Sequence, residues 1–268
     1  MGIRIIPTRS KSSMDYLLYL RHLFAYKFAS VKLSMSDVVL DVGCGEGYGT
    51  YLLSHYARKI IGLDVDKDII KHASKKYGNS NCIFRVYDGR RIPYPNETFN
   101  VVVSFQVIEH VVDDLNFVLE CFRVLKKGGF LFLTTPNKAN RLKPNQKPWN
   151  PFHVREYYPH ELKSILEKVF PEVKLLGIHG DTIIRKIEVE RVRRAQLFTP
   201  LSRILNFLIL RMSRILKKLI IDTLLMYDHA IYHKNSELRR EFRLTLTNFT
   251  IKNDVENALD ILAICRKL

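Results

Sequence analysis

Nine residues starting at Asp41 read Asp41-Val42-Gly43-Cys44-Gly45-Glu46-Gly47-Tyr48-Gly49, an acidic residue followed by glycines at alternate positions. Glycine lets the backbone turn tightly and lets a ligand approach without meeting a Cβ. Asp64 comes 23 residues after Asp41, at the end of a second apolar run, where a carboxylate can accept both hydroxyls of a ribose. Asp88 follows a third such run, where a carboxylate can accept from an exocyclic adenine amine. Singly, either aspartate would read as a helix cap or a solvated loop residue. Together, each at a strand end, they predict a nucleotide-type cofactor site. His110 lies just past a fourth run, on the ligand side of the predicted sheet, and its ring is suited to taking a proton near neutral pH. With Glu109 it could equally cap the following helix.

These residues need strands and helices to hold them, and the pattern supplies both. Val38 to Asp41, Lys59 to Asp64, Cys82 to Val86, Phe99 to Phe105 and Phe130 to Thr135 are short apolar runs bounded by turn residues. Helices are expected through Leu53, over 66–77 and over 115–125, the last ended by Gly128-Gly129. A further helix over 159–170 leads to strands at 173–178 and 259–265. Apolar strands alternating with helices predict an α/β fold, a doubly wound and mostly parallel seven-stranded sheet covered on both faces. The expected organisation is an N-terminal helical cap over 1–35, a catalytic domain over 36–180 and 250–268, and a basic helical insertion over 181–249.

The chain has 268 residues, 47% of them apolar, enough to bury one large domain with an appendage. Cys44, Cys82, Cys121 and Cys265 lie far apart, without metal-ligand spacing, and read as buried reduced thiols of a cytoplasmic protein. The first thirty residues lack the apolar core of a signal peptide, and Ile6 breaks a myristoylation match. No run reaches the length that spans a bilayer.

The net charge of +16 calls for an anionic partner: nucleic acid, an anionic lipid surface or a phosphorylated substrate. Half of it sits between Arg185 and Lys218, where ten Lys or Arg face only Glu188 and Glu190. On a helical projection of 201–221, Arg203, Arg211, Arg214, Lys217 and Lys218 share one side and most of the apolar residues the other. Such a helix could pack on its own domain or in a homodimer. It could also rest on the anionic surface of a membrane as a peripheral contact, or face nucleic acid, although aromatics are not interleaved with its charges.

The glycine turn resembles the DxGxGxG motif of class I S-adenosylmethionine-dependent methyltransferases, of the type 11 and ubiquinone-biosynthesis-methyltransferase-like kind. IIGLDVD resembles their second-strand motif, and YDGRRIPYPNETFNVVVSFQVIEHV their third- and fourth-strand block. The resemblance implies that S-adenosyl-L-methionine is the cofactor and that Asp41, Gly43, Gly45 and Gly47 contact its methionine part. It places Asp64 on the ribose, Asp88 and Gly89 beside the adenine, and Phe105 and Gln106 at the amino-acid moiety. HLFAYKFA, with Tyr26, resembles a helix that covers the cofactor in a subset often associated with glycan or lipid modification. Ala25 stands where that subset has an arginine, and Asn100 where the family often has aspartate.

NPFHVREYYPHEL resembles a substrate-side lid of the same subset, which makes His153, Glu156 and Tyr157 candidates for substrate contact. His153 and Glu156 have HxxE spacing, but two ligands without a third do not make a metal site, and no metal is expected. Three functions stay open. One is methylation of a small-molecule, glycan or lipid-linked acceptor, on oxygen, with His110 as the catalytic residue. The others are RNA methylation, against which the absence of an NPPY-type motif after strand four counts, and a non-catalytic cofactor-binding subunit.

Overall fold

A computed structural model describes residues 13–193, 195–196 and 244–268. The basic segment 201–221 lies outside the described residues. Contacts within the chain group it into two compact units. Arg21–His179 and Phe249–Leu268 form the first, and the described part of the second comprises 13–20, 180–193, 195–196 and 244–248.

The strands are β1 (Val38–Val42), β2 (Lys59–Asp64), β3 (Cys82–Val86), β4 (Phe99–Phe105), β5 (Leu125–Pro136), β6 (Glu172–Gly180), β7 (Phe249–Lys252) and β8 (Asp260–Arg266). They form one sheet in the order β3-β2-β1-β4-β5-β8-β6-β7. β1, β2, β3, β4 and β5 pair in parallel, and β8 runs antiparallel to β5 and to β6. The sheet is mixed and has eight strands, one more than the sequence pattern predicts. The extra one, β7, is four residues long and directly precedes the last predicted strand. A strand that short carries too little periodicity to be seen in a sequence.

The helices are α1 (Ser13–Ser30), α2 (Tyr48–Ser54), α3 (Lys67–Tyr77), α4 (Asp114–Val124) and α5 (Pro159–Glu167). Each start has a local cause. The Asp66 carboxylate accepts from the amides of Asp68 and Ile69 at the head of α3, and Asp113 accepts from Asn116 at the head of α4. Pro159 occupies the first turn of α5, where Glu161 reaches back to the Tyr158 amide at 2.9 Å. α4 ends at Val124 and β5 begins at Leu125, so Gly128-Gly129 lies inside the β5 span and does not end the helix. The Lys267 ammonium closes that helix end by donating to the carbonyls of Phe122 (3.1 Å) and Leu125 (2.7 Å).

The core lies between sheet and helices, with Leu40, Val42, Leu63, Val102, Leu131, Leu133 and Ala263 of the strands fully buried. Strands covered on both faces have to be apolar throughout, which is why their sequences read as unbroken runs. β1 pairs with β2 on one side and β4 on the other, so the chain order reverses at β1. The crevice beyond the carboxyl ends of β1 and β4 is where sheets of this kind bind ligands. Asn100 accepts from the Val38 amide at 3.0 Å and from the Lys126 ammonium at 3.4 Å, making on one oxygen the contacts a carboxylate would make.

Candidate cofactor and substrate site

The turn after β1 is held by backbone bonds and by the shape of its glycines. The amides of Gly43 and Cys44 both donate to the Leu63 carbonyl, at 2.7 and 2.9 Å, which ties the turn to β2. Gly43, Gly45 and Gly47 have φ of +79°, +52° and +83°, the left-handed region that side chains avoid. A Cβ on Gly43 would lie 2.4 Å from Val107, and one on Gly47 2.8 Å from Ala73 and Phe84. Gly45 differs, since a Cβ there would meet nothing within 4 Å. Open space over a half-buried turn is what a closely approaching ligand requires.

Asp41 is completely buried and accepts from Thr50 Oγ1 at 2.6 Å and from the Tyr26 hydroxyl at 3.1 Å. Burial pushes its carboxyl up to about 7, with the two donors pulling the other way. Tyr26 packs edge-on against Phe105 at 4.8 Å, and its ring lies 2.1 Å from where a Cβ on Gly49 would be. The fourth glycine of the motif therefore makes room for Tyr26. Arg21, one turn earlier on α1, forms a buried pair with Asp260 and so anchors this part of the helix to β8. Ala25, standing where the subset has an arginine, is buried and offers no polar side chain.

Asp64 projects from the end of β2 with both oxygens oriented by amides, Gly45 to one and Asp66 to the other, each at 3.0 Å. Each oxygen keeps a lone pair for a ligand hydroxyl. Asp88 is exposed, and one of its oxygens accepts from the Arg90 and Arg91 amides at 2.8 and 2.9 Å. The Arg91 and Arg90 amides hold this carboxyl below its ordinary range. Gly89 beside it has φ +76°. Gln106 directly follows β4 with φ +58°, uncommon for a residue with a side chain, and its backbone amide donates to the Thr134 carbonyl at 2.9 Å. The open turn, the oriented Asp64 and the bent end of β4 fit a nucleoside-containing cofactor.

Past Gln106 the chain makes a short 3-10 turn (Ile108–His110), and the loop at 150–157 is fastened to it. The Val154 amide donates to the Glu109 carbonyl at 2.8 Å, and Arg155 donates to Asp114 at 2.6 Å. His110 keeps solvent contact, and its Nδ1 donates to the Phe152 carbonyl at 2.8 Å. A carbonyl can only accept, so the lone pair of the neutral ring is on Nε2. Partial desolvation by the surrounding chain lowers the pKa of His110, against the pull of that hydrogen bond.

The lid candidates divide into a bonded pair, His153 with Glu156, and Tyr157 with a partner of its own. The side chain of His153 is largely buried and donates from Nδ1 to Glu156 at 2.8 Å. Glu156 is buried and also accepts from Arg141 twice, at 3.0 and 3.2 Å. Burial pushes its carboxyl up, but His153 and Arg141 together outweigh that and hold it below the ordinary range. Tyr157 has its ring in the core and its hydroxyl on Asp114 at 2.8 Å, so any bearing on a substrate is indirect. Sequence spacing gave no sign of Thr50, Arg141 or Asp114, whose partners lie 9, 15 and 43 residues away in the chain. Glu109 could have been noticed beside His110. It is buried, accepts from Thr135 at 3.0 Å, and burial pushes it up to about 8.

Fold and geometry together define an α/β protein whose β1 turn, Asp64 and β4 end fit a nucleoside-containing cofactor. Residues 40–133 match the family model described as a methyltransferase domain. A relative in Mycolicibacterium smegmatis that carries the name "Probable S-adenosylmethionine-dependent methyltransferase" is 40% identical over 181 residues, 67% of this chain and 68% of its own. The chain belongs to the S-adenosylmethionine-dependent methyltransferases, and S-adenosyl-L-methionine is its cofactor. The mitochondrial ubiquinone biosynthesis O-methyltransferase of Bos taurus is 38% identical over 113 residues, 38% of this chain and 29% of that protein. Among solved structures, a methyltransferase of Thermotoga maritima superposes with a TM-score of 0.56 at 15% identity, covering 94% of this chain and 93% of that one. That likeness confirms the fold. No helix among the described residues is long and apolar enough to cross a membrane.

Proposed function

We propose that this enzyme methylates a hydroxyl oxygen of a small-molecule, glycan or lipid-linked acceptor, with His110 taking the acceptor's proton. The observation that carries this is the tautomer of His110: Phe152 fixes Nδ1 as the donor and leaves Nε2 basic, just past the ligand end of β4. The relative that acts as an O-methyltransferase supports oxygen as the acceptor atom. The excess of positive charge supports an anionic acceptor or an anionic membrane surface, a lipid-linked substrate above all.

S-adenosylmethionine supplies a sulfonium methyl for in-line displacement, the C–S electron pair leaving with sulfur. The chain's part is to align, exclude water and move one proton. Asp64 would hold the ribose, Asp88 with Gly89 the adenine side, and Gly43, Gly45, Gly47 and Gln106 the amino-acid end. Asp41 would act there through Tyr26 and the turn it supports. His110 receives the proton as the acceptor oxygen becomes nucleophilic.

The test is tritium transfer from methyl-labelled cofactor into fractionated host extract, followed by identification of the labelled atom. Label in a lipid or glycan ether supports the proposal. Label in RNA, or cofactor binding without transfer into any fraction, overturns it in favour of an RNA methyltransferase or a non-catalytic subunit. His110→Ala is expected to leave affinity for S-adenosylhomocysteine intact and to lower turnover by about 10²-fold. Unchanged turnover removes His110 from the chemistry.

A further inference from the structure

Glu109, His110 and His153 meet beyond the end of β4. A carboxylate oxygen of Glu109 and one ring nitrogen from each histidine lie within 4.8 Å of one another. The two rings stand edge to face, with centroids 4.8 Å apart at 85°. Both Nδ1 atoms are committed to oxygen acceptors, Phe152 O for His110 and Glu156 Oε1 for His153, each at 2.8 Å. Each neutral ring therefore has its lone pair at Nε2.

The two acceptors differ in charge. His110 leans on a neutral carbonyl, whereas His153 leans on a buried carboxylate that Arg141 grips twice and fixes in place. Arg141 in turn stacks over Trp149 at 4.5 Å, so the carboxylate cannot swing away freely. A proton on His153 gains a charge-assisted hydrogen bond that a proton on His110 does not. A carboxylate behind a histidine is a known way to orient the ring and stabilise its imidazolium.

We infer that His110 and His153 form a two-step proton acceptor: His110 takes the proton from the acceptor hydroxyl and His153 holds it, with Glu156 as the positioning residue. The inference rests on the O-methylation reading above. The acceptor O–H bond breaks and an N–H bond forms at Nε2 of His110. The same proton then reaches Nε2 of His153 through one bridging water, which returns the lone pair to His110. The ionisable groups facing the pair are Glu109, Glu156 and Arg141, with His22 and Asp260 at longer range. Burial pushes the Glu109 carboxyl up to about 8, and the Thr135 hydroxyl donates to it at 3.0 Å.

The pair can be tested without knowing the acceptor, by titrating the full-length protein with histidine-selective nitrogen NMR. Both rings are expected to show protonated Nδ1 when neutral. His153→Asn is expected to move the His110 titration, because sites that share a proton titrate together. Independent titrations overturn the pair whatever the protein methylates.

The second arm uses tritiated S-adenosylmethionine and the extract fraction that the wild-type enzyme labels. His153→Asn is expected to slow transfer about tenfold with KM for the cofactor unchanged, and free imidazole to restore part of the rate. Glu156→Gln removes the charge behind His153, so the acid limb of the pH–rate profile is expected to move to lower pH. Glu156→Asp should restore the limb. A loss of rate that is uniform in pH, with no imidazole rescue, reduces His153 to a structural residue. Loss of activity in EDTA, restored by Mn²⁺, assigns the three groups to a cation and overturns the proposal. If the label lies on nitrogen or carbon, the O-methylation reading fails, and the NMR arm still decides on the pair.

Discussion

The two halves of the ligand-facing edge are built by different means. From Gly43 to Asp66 the site is made of backbone: amides of the turn bond to β2, Asp64 bonds back to the turn, and glycines admit the shape. From Gln106 to Tyr157 it is made of side chains that find each other across the chain, Arg141 to Glu156, Arg155 and Tyr157 to Asp114, and His153 beside His110. The first half has almost no freedom and suits a cofactor that never changes. The second hangs on the side chains of one loop, the kind of segment that carries recognition in folds that host many chemistries.

That contrast can be attacked from both sides. The largest effect is expected for Gly47→Val. A β-branched residue at positive φ costs about 1–2 kcal/mol, and its collision with Ala73 and Phe84 costs about 1–3 kcal/mol more. Calorimetry should find no binding of S-adenosylhomocysteine, and the melting temperature should fall. Normal binding would mean that the turn is not the rigid element described.

Next comes Arg141→Ala on the other half. It leaves Glu156 buried without its main partner, at a cost of about 3–5 kcal/mol in thermal unfolding. Cofactor affinity should be unchanged, because the bonds described for Arg141 and Glu156 run within 141–156 and not to the β1 turn. Equal damage to both properties would break the division between the halves.

Asp64→Ala is expected to weaken S-adenosylhomocysteine by about 2–4 kcal/mol, since two ribose hydroxyls and the Gly45 amide lose their acceptor. Unchanged affinity would remove the ribose assignment. The smallest effect belongs to Asn100→Ala, far from either ligand. The Val38 amide loses one acceptor, worth about 1 kcal/mol in chemical denaturation, with cofactor affinity and turnover preserved.

The same division governs what could be read before the structure. The strands from β1 to β5 and the turn at Gly43–Gly47 follow from local rules, since two-sided burial dictates apolar runs and positive φ dictates glycine. β7 escaped because four residues hold too little pattern. The Gly128-Gly129 pair read as a helix end, but β4–β5 pairing extends back to Leu125 and takes the glycines into the strand span. Gly49 looked like part of a ligand motif, and its Cβ would strike Tyr26.

The amino-acid sequence by itself determined the fold class, the cofactor and which residues of the β1 turn and the β2 end are candidates to hold it. Those requirements act between residues close in the chain, where spacing is geometry. Only the tertiary structure decided which polar group meets which on the acceptor side. It committed Glu156 to Arg141, sent Tyr157 into the core, fixed the tautomer of His110 through a carbonyl 42 residues away, and set His153 against it. Hydrogen bonds over such separations depend on where the folded chain returns, and no periodicity in the sequence records that.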